Sequence, residues 1–519
     1  MKPWSKPLVL ASVGLSLSCG DSDAGPGAVT CDDPPVPDAR LFVDRTAEVG
    51  VTFVHHPQTD LCHITDTVGG PGVCLFDFDG DADNDVFLVD RSPHPSALYR
   101  NDGGVFVDVA AEVGVATPGD AIGCVAFDYD GDGDLDLYVT TTGPDVLYQN
   151  QGGTFTDVTA AAGLGESSFS TSATAGDIDA DGDLDLFVGR LVVLSTCPDE
   201  CYLFPLACQS ERNLLYVNQG NGTFVESGAA RGLTELEPTL AALFFDEDDD
   251  GDVDLYVGND MGVAFPDRLY VNDGTGHFQD QGASRGYSAA GTDTMGVDVG
   301  DYNGDGTTDM VTTDFKDRPT RLYDCFSDAL PCSFTTLPVE STQGVHWGVG
   351  FVDFDHDGDL DVFQTAGDVF DPERVGTPNQ VFVNRGDGRF DHFPPPEGSG
   401  LLHMAVHRGA AFGDLDGDAD VDVVVASNGG SPAFLYNVGA SGHAVQVDLG
   451  TRGAGAKVTA RVDGRSLTEH AVIGGSYLSS SDARLHFGIG AACEAEIEIR
   501  YLDGTMTTGK VRAGQTLKP

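Results

Sequence analysis

The chain has 519 residues, 40% of them hydrophobic, which is enough for buried cores and too much for a disordered polymer. Its 83 acidic against 27 basic residues give a formal charge of -56. That field repels nucleic-acid backbones and anionic lipid, excludes nucleic acid as a partner, and points to cations wherever the acids cluster.

The first residues read as an export signal over 1–18. Lys2 and Lys6 precede an apolar stretch, Leu8 to Leu17, too short to span a bilayer. Ser16-Leu17-Ser18 then places small residues before Cys19, as in an imperfect bacterial lipobox, so Cys19 is the expected lipidation site. Simple cleavage after Ser18 is the alternative. Lipidation of Cys19 leaves ten of the 11 cysteines, an even number suited to pairing in an oxidising compartment. Cys62 and Cys74 are near neighbours, as are Cys325 and Cys332, while Cys197, Cys201 and Cys208 cluster. No CxxC pair occurs, which argues against zinc. Residues 19–40, rich in Gly, Asp and Pro, read as a tether.

From residue 41 the chain is dominated by a nine-residue acidic loop that recurs seven times. The acids of the first copy are Asp77, Asp79, Asp81, Asp83 and Asp85. The next three copies present Asp128, Asp130, Asp132, Asp134 and Asp136; Asp177, Asp179, Asp181, Asp183 and Asp185; and Asp246, Asp248, Asp250, Asp252 and Asp254. The fifth has Asp301, Asn303, Asp305, Thr307 and Asp309. The last two have Asp353, Asp355, Asp357, Asp359 and Asp361, then Asp414, Asp416, Asp418, Asp420 and Asp422. Their starts lie 51, 49, 69, 55, 52 and 61 residues apart, near the size of one four-stranded propeller blade. Each loop is followed by a β-rich run such as Leu137-Tyr-Val, by a strand ending in Asn such as Leu147-Tyr-Gln-Asn150, and by a Gly-rich turn with a third strand such as Gly153-Thr-Phe-Thr-Asp157. A fourth strand, such as Gly123-Cys-Val-Ala-Phe127, leads into the loop. The last repeat lacks its Gly-x-Phe-x-Asp strand, and the chain opens with an orphan copy, Leu41-Phe-Val-Asp-Arg-Thr-Ala47. The expected fold is therefore all-β: a seven-bladed β-propeller over 41–440, closed by its N-terminal strand, followed by a small all-β module over 441–519.

Carboxylates at positions 1, 3, 5 and 9 of each loop, with the carbonyl of position 7, form a hard-oxygen cage suited to calcium, about seven Ca²⁺ in all. Gly80, Gly131, Gly304 and Gly417 at position 4, or Gly182, Gly251 and Gly358 at position 6, permit the sharp bend. An EF-hand needs Glu at position 12; here Leu88, Val139, Val188, Val257, Thr312, Gln364 and Val425 stand there. A merely solvated acidic face explains one such loop, not seven in register.

These repeats resemble FG-GAP (VCBS) repeats, which implies structural calcium, one ion per blade. In the tail, Gly474-Gly-Ser-Tyr-Leu-Ser-Ser-Ser-Asp-Ala-Arg-Leu-His-Phe-Gly-Ile-Gly490 is similar to the ASPIC/UnbV motif, with Gly453-Ala-Gly-Ala-Lys-Val upstream and Tyr501-Leu-Asp-Gly504 downstream. Tyr501-Leu replaces the family's usual Trp-Pro. The combination resembles the cartilage acidic protein family and its bacterial relatives, and implies an extracellular calcium-binding protein more than a reaction.

Other motifs have bland readings. Gly282-Ala-Ser-Arg-Gly286 fits GxSxG but aligns with the ordinary strand tails Ala160-Ala-Ala-Gly163 and Gly228-Ala-Ala-Arg-Gly232. Arg385-Gly-Asp387 occupies the same turn as Asn150-Gln-Gly-Gly153. His55, His56, His346, His403 and His407 are candidates for the central channel, and His486 reads as a core histidine. The resulting expectation is an exported, monomeric, non-enzymatic surface protein that binds a protein or glycan, with the insertion Leu191 to Arg212 as recognition element. It touches membrane only through a lipid anchor. The alternatives are a glycan-acting lyase or hydrolase and a purely structural envelope protein.

Overall fold

A computed structural model describes residues 31–57, 68, 70–116, 119–197, 206–288, 291–316, 318–326, 329–338, 344–369 and 376–519. The expected signal sequence, Cys19, Cys62 and Cys201 lie outside the described residues. Among the described residues, no helix is long and apolar enough to cross a membrane.

The chain is all-β. Residues 41–437 build seven four-stranded antiparallel sheets, propeller-like blades of one pattern. In the first, Val73–Phe76, Asp85–Leu88, Ala97–Asn101 and Phe106–Asp108 follow one another across the sheet. The sheet of His407–Gly413, Asp422–Ser427 and Ala433–Asn437 takes its fourth strand from Phe42–Asp44, with Phe42 opposite Asn437 and Asp44 opposite Leu435. The orphan strand is thus the missing one. The first strands of successive sheets pack side by side, and His407–Gly413 returns against Val73–Phe76, so the circuit comes back to its start.

Position along the radius explains the sequence. Innermost strands such as Ser170–Gly176 (STSATAG) are buried throughout, so they show no polar alternation and favour small side chains where neighbours crowd. Outermost strands such as Phe155–Asp157 bury only their aromatic residue and expose the other two. Apolar clusters lie between adjacent sheets; one joins Val73, Leu75 and Val86 to Ala411, Val424 and Phe434.

The tail folds as a second all-β unit. One sheet carries Arg465–His470, Lys457–Val462, Glu494–Arg500 and Met506–Arg512; the other carries Leu485–Gly490, His443–Val447 and Thr516–Leu517. Val445, Val458, Phe487, Ile497 and Ile499 fill the space between them.

Residues 473–482 of the tail leave this unit and enter the centre of the ring. The Ser476 amide donates to Val297 O (2.6 Å), Cys124 N donates to Leu478 O (3.2 Å), Leu75 N donates to Ser480 O (2.9 Å), and Asp482 N donates to Phe412 O (3.0 Å). Four different inner strands are thereby tied to one segment. Gly72 is obligatory there, because a Cβ would sit 1.9 Å from Leu478 O. Tyr477 is fully buried, 4.8 Å from the Trp347 ring, and the Arg408 guanidinium lies over that indole at 4.1 Å. This plug runs through the centre, and the histidines considered as channel candidates take packing and pairing positions. His346 and His407 are buried, His403 pairs with Asp44 (3.1 Å), and His56 pairs with Asp90 (2.8 Å).

Eight described cysteines form four disulfides: Cys31–Cys493, Cys74–Cys124, Cys197–Cys208 and Cys325–Cys332. Cys74 reaches across to the next blade. Cys31–Cys493, with the Asp38 amide donating to Val438 O (2.7 Å), fastens residues 31–40 of the expected tether to the folded body.

Candidate metal centres

Each acidic loop joins the first and second strands of its sheet, and the backbone shapes it before any ion is considered. Positions 4 and 6 are left-handed in all seven copies. Glycine fills most of them, but Ala180, Asp249 and His356 hold position 4, and Ala82 and Ala419 hold position 6. A single glycine per loop, the sequence expectation, therefore understates the demand for positive φ.

That curl turns backbone N–H groups inward onto the position 1 carboxylate. Asp77 accepts from Gly80, Asp81 and Ala82 at 2.8, 3.1 and 2.9 Å, and Asp128 accepts from Gly131, Asp132 and Gly133 at 2.8, 3.2 and 3.1 Å. In six of the seven loops the position 9 carboxylate is clamped from both sides. Asp85 Oδ2 accepts from Phe78 N (3.0 Å) and Oδ1 from Asn101 N (2.8 Å), and Asp136 repeats this with Tyr129 (3.0 Å) and Asn150 (2.7 Å). The position 7 side chain turns away toward the Gly-rich turn: Asp83 accepts from Gly103 N (3.1 Å) and Asp134 from Gly152 N (2.8 Å).

The result is a cluster of oxygens that needs positive charge. In loops one to three, oxygens of positions 1, 3 and 9 all lie within 4.8 Å of one another; in loop four those of Asp246, Asp248 and Asp250 do. Buried oxygens Asp130 Oδ1 and Asp179 Oδ1, both at position 3, have no hydrogen-bond partner among the described residues, nor does Asp309 Oδ2 at position 9. Burial pushes Asp85, Asp136 and Asp185 up to about 8 and Asp309 to about 9; it raises Asp254, Asp361 and Asp422 well above the carboxylate range. Such a site is occupied at neutral pH either by protons or by a cation. All-oxygen donors, orphaned carboxylate oxygens and a curled backbone fit calcium.

All 35 sequence-selected loop residues stand in these seven loops. Two sets of functional residues escaped the sequence reading. One is the asparagine ending the third strand, visible in sequence as a recurrent Leu-Tyr-x-Asn. Asn150 Nδ2 donates to Leu135 O of its own loop (3.1 Å) and to Phe78 O of the preceding one (2.8 Å), so it staples neighbouring loops together. Asn101, Asn218, Asn272, Asn384 and Asn437 reach the preceding loop in the same way. The other set lies on the tail. Lys457 Nζ meets Asp249 (3.0 Å), Arg484 donates to Ala82 O (3.2 Å), His486 contacts Ala419 O (2.9 Å), and Arg465 donates to Asp357 O (2.8 Å). The tail therefore docks on the acidic loops themselves.

The remaining motifs are structural. Ser284 donates its hydroxyl to Gln281 O (2.9 Å), while Arg285 pairs with Glu247 and Asp248. Arg385 of the Arg-Gly-Asp turn is engaged by Asp391.

Comparison with known proteins agrees with this construction. The FG-GAP-like repeat family matches residues 77–139, 128–188 and 246–312, and the ASPIC and UnbV family matches 447–518. The chain thus carries FG-GAP-like repeats and an ASPIC/UnbV domain. Cartilage acidic protein 1, which has the same architecture, is 31% identical over 279 residues in Mus musculus and 30% identical over 283 residues in Homo sapiens. Each match takes 50% of this chain but only 41% and 40% of the relative, so the chain aligns with about two fifths of those proteins. Among solved structures, an Agrocybe aegerita lectin described as recognising non-reducing terminal N-acetylglucosamine overlaps at TM-score 0.38 and 18% identity, over 72% of this chain and 91% of that one. The V. cholerae biofilm matrix protein Bap1 overlaps at TM-score 0.33 and 13% identity, over 89% of this chain and 63% of that one. At these scores neither overlap bears on what this chain binds.

Proposed function

We propose that this chain, a carrier of FG-GAP-like repeats and an ASPIC/UnbV domain, is an exported calcium-binding protein that presents a rigid seven-bladed propeller to a protein or glycan partner at the cell surface, without catalysing a reaction. The observation that carries the reading is the sevenfold convergence of buried, partly orphaned carboxylate oxygens in curled loops. Calcium, when bound, supplies the charge that such a cage needs. Position 1, 3, 5 and 9 side chains and the position 7 carbonyl would hold it in each loop. Asn303 and Thr307 make loop five the least acidic of the seven.

Export accords with the four disulfides, which persist in oxidising compartments. A monomeric protein anchored through Cys19 is the form in which we expect it to act. The acidic loops and the tail occupy one end of the ring, so partner recognition falls to the connections between second and third strands. The insertion between Arg190 and Leu214 is such a connection, closed by Cys197–Cys208.

Two measurements test this reading. Metal analysis of protein dialysed against calcium should find about seven ions per chain; loops empty of metal would sink the calcium assignment. Replacement of 194–209 by a short Gly-Ser turn should abolish capture of the surface partner while leaving thermal unfolding unchanged. Unaltered capture would remove the insertion from the recognition surface.

A further inference from the structure

We propose that the Cys325–Cys332 disulfide, formed inside the fifth sheet, stands in for the asparagine staple: it fixes the end of the third strand and so positions the fifth cation loop. The cation part rests on the calcium reading above; the hold on the strand does not.

Six sheets end their third strand in the asparagine that bridges two loops. The fifth sheet reads Leu322-Tyr-Asp-Cys325 where the others read Leu-Tyr-x-Asn or its equivalent. Cys325 takes the same place. Its amide donates to Asp309 Oδ1 (3.2 Å), as each asparagine amide does at 2.7–2.8 Å to its own position 9 carboxylate. A cysteine side chain lacks the amide N–H groups that span to the preceding loop, so that staple is missing here.

Three neighbours surround this end of the strand instead. Cys325 is bonded to Cys332 on the adjacent strand, and both are 5% exposed. Tyr287 Oη lies 2.9 Å from Cys325 Sγ, and Cys332 Sγ lies 3.9 Å from Glu247 Oε1. Glu247 holds position 2 of loop four, whose carbonyl is the asparagine's target at the other junctions. Elsewhere that position is a buried apolar or aromatic residue, such as Phe78 or Ile178; here it is an acid paired with Arg285. Asp309 also lacks the second clamp. Its Oδ2 is buried and unpartnered among the described residues, whereas Asp85, Asp136, Asp185, Asp254, Asp361 and Asp422 receive the position 2 amide there.

Closure joins two thiols through one S–S bond. Two electrons and two protons pass to the disulfide of a thiol–disulfide exchange partner, which leaves as a dithiol. Before that step the end of the third strand has neither staple nor cross-link, so it is fully held only in an oxidising compartment.

The test compares the parent with Cys325→Ser/Cys332→Ser and with Cys325→Asn/Cys332→Ser, leaving the other disulfides in place. The serine pair should be cleaved between Arg321 and Thr336 roughly tenfold faster in limited proteolysis and should hold one calcium fewer; the asparagine variant should recover both. A serine variant cleaved at the parent rate with the parent's calcium would overturn the proposal. Should the serine variant not fold, hydrogen exchange on the parent decides. Faster exchange over 321–336 in chains whose Cys325 and Cys332 have been reduced and alkylated supports the latch, and unchanged exchange overturns it. A parent that binds no calcium would overturn the loop reading, while the cleavage rates would still judge the hold on the third strand.

Discussion

The acidic loops and the plug at residues 473–482 hold the same ring by opposite physics. The loops gather many carboxylates with too few donors, and burial pushes the position 9 acids far above the usual range. The plug carries no charge between Ile473 and Ser481 and is tied at its carbonyls and amides to inner strands. On the calcium reading one arrangement is completed by a cation, whereas the other is complete with protein alone. Cohesion at the loops is then expected to depend on the medium, and cohesion at the axis is not.

The largest expected effect of a single substitution is at the axis. Tyr477→Ala empties a fully buried site against Trp347 and removes the hydroxyl that donates to Val68 O. A loss of about 3–5 kcal/mol is expected from cavity formation of this size, equal with calcium and with chelator. Denaturant unfolding in both media checks it. A loss confined to the chelated protein would mean the plug is coupled to the ions and would break the comparison.

Acidity should sharpen it. In chelator, Asp85, Asp136 and Asp185, held near 8 by burial, keep protons that the unfolded chain has released above about 4. The native state then binds more protons, so its stability falls as pH rises from about 4 to 8. With calcium in place the loop acids' share of this trend should vanish. What remains are groups outside the loops: burial raises Asp145, Asp260 and Asp298 to about 7, which continues the fall, while it lowers His346 to about 4 and His470 to about 3, so the histidines' contribution is present above about 6.5 and lost as pH falls below it. A fall of melting temperature with rising pH that is steeper in chelator than in calcium is the expected result; parallel slopes would contradict the loop electrostatics.

The smallest effect concerns the docking of the tail. Asp249 holds a left-handed position, φ 61°, and pairs with Lys457 and Arg500 at 3.0 and 3.5 Å. Its side chain is 46% exposed, so these pairs contribute about 0–1 kcal/mol, and Asp249→Gly relieves backbone strain of similar size. A net change under about 1 kcal/mol is expected in thermal unfolding. A larger loss would show that tail docking depends on this loop more than its exposure allows.

Much of this was legible in the residues. The Asp-x-Asp-x-Asp spacing announces the loops because ligands and turns are local in sequence. The orphan Leu41-Phe-Val-Asp matched its missing place because strands of one repeat share a pattern, and Phe42–Asp44 pairs there. What could not be read depends on contacts distant in sequence. Ala180, Asp249 and His356 look unsuited to position 4, yet His356 packs at a tilt against His486, ring centroids 4.8 Å apart, and Asp249 meets Lys457, so the tail accounts for two of them. The structure shows no comparable partner for Ala180. The Gly474–Asp482 motif has no local code for insertion into a channel. Cys74 pairs with Cys124 of the next blade, a choice made by the proximity of inner strands.

The central claim is that cations complete the acidic loops. Its most direct test is thermal unfolding of the mature protein in calcium, in magnesium and in chelator, at one pH and ionic strength. A melting temperature raised specifically by calcium, and increasing with its free concentration as mass action requires, is the predicted result. A melting temperature that is the same in all three media would contradict the account.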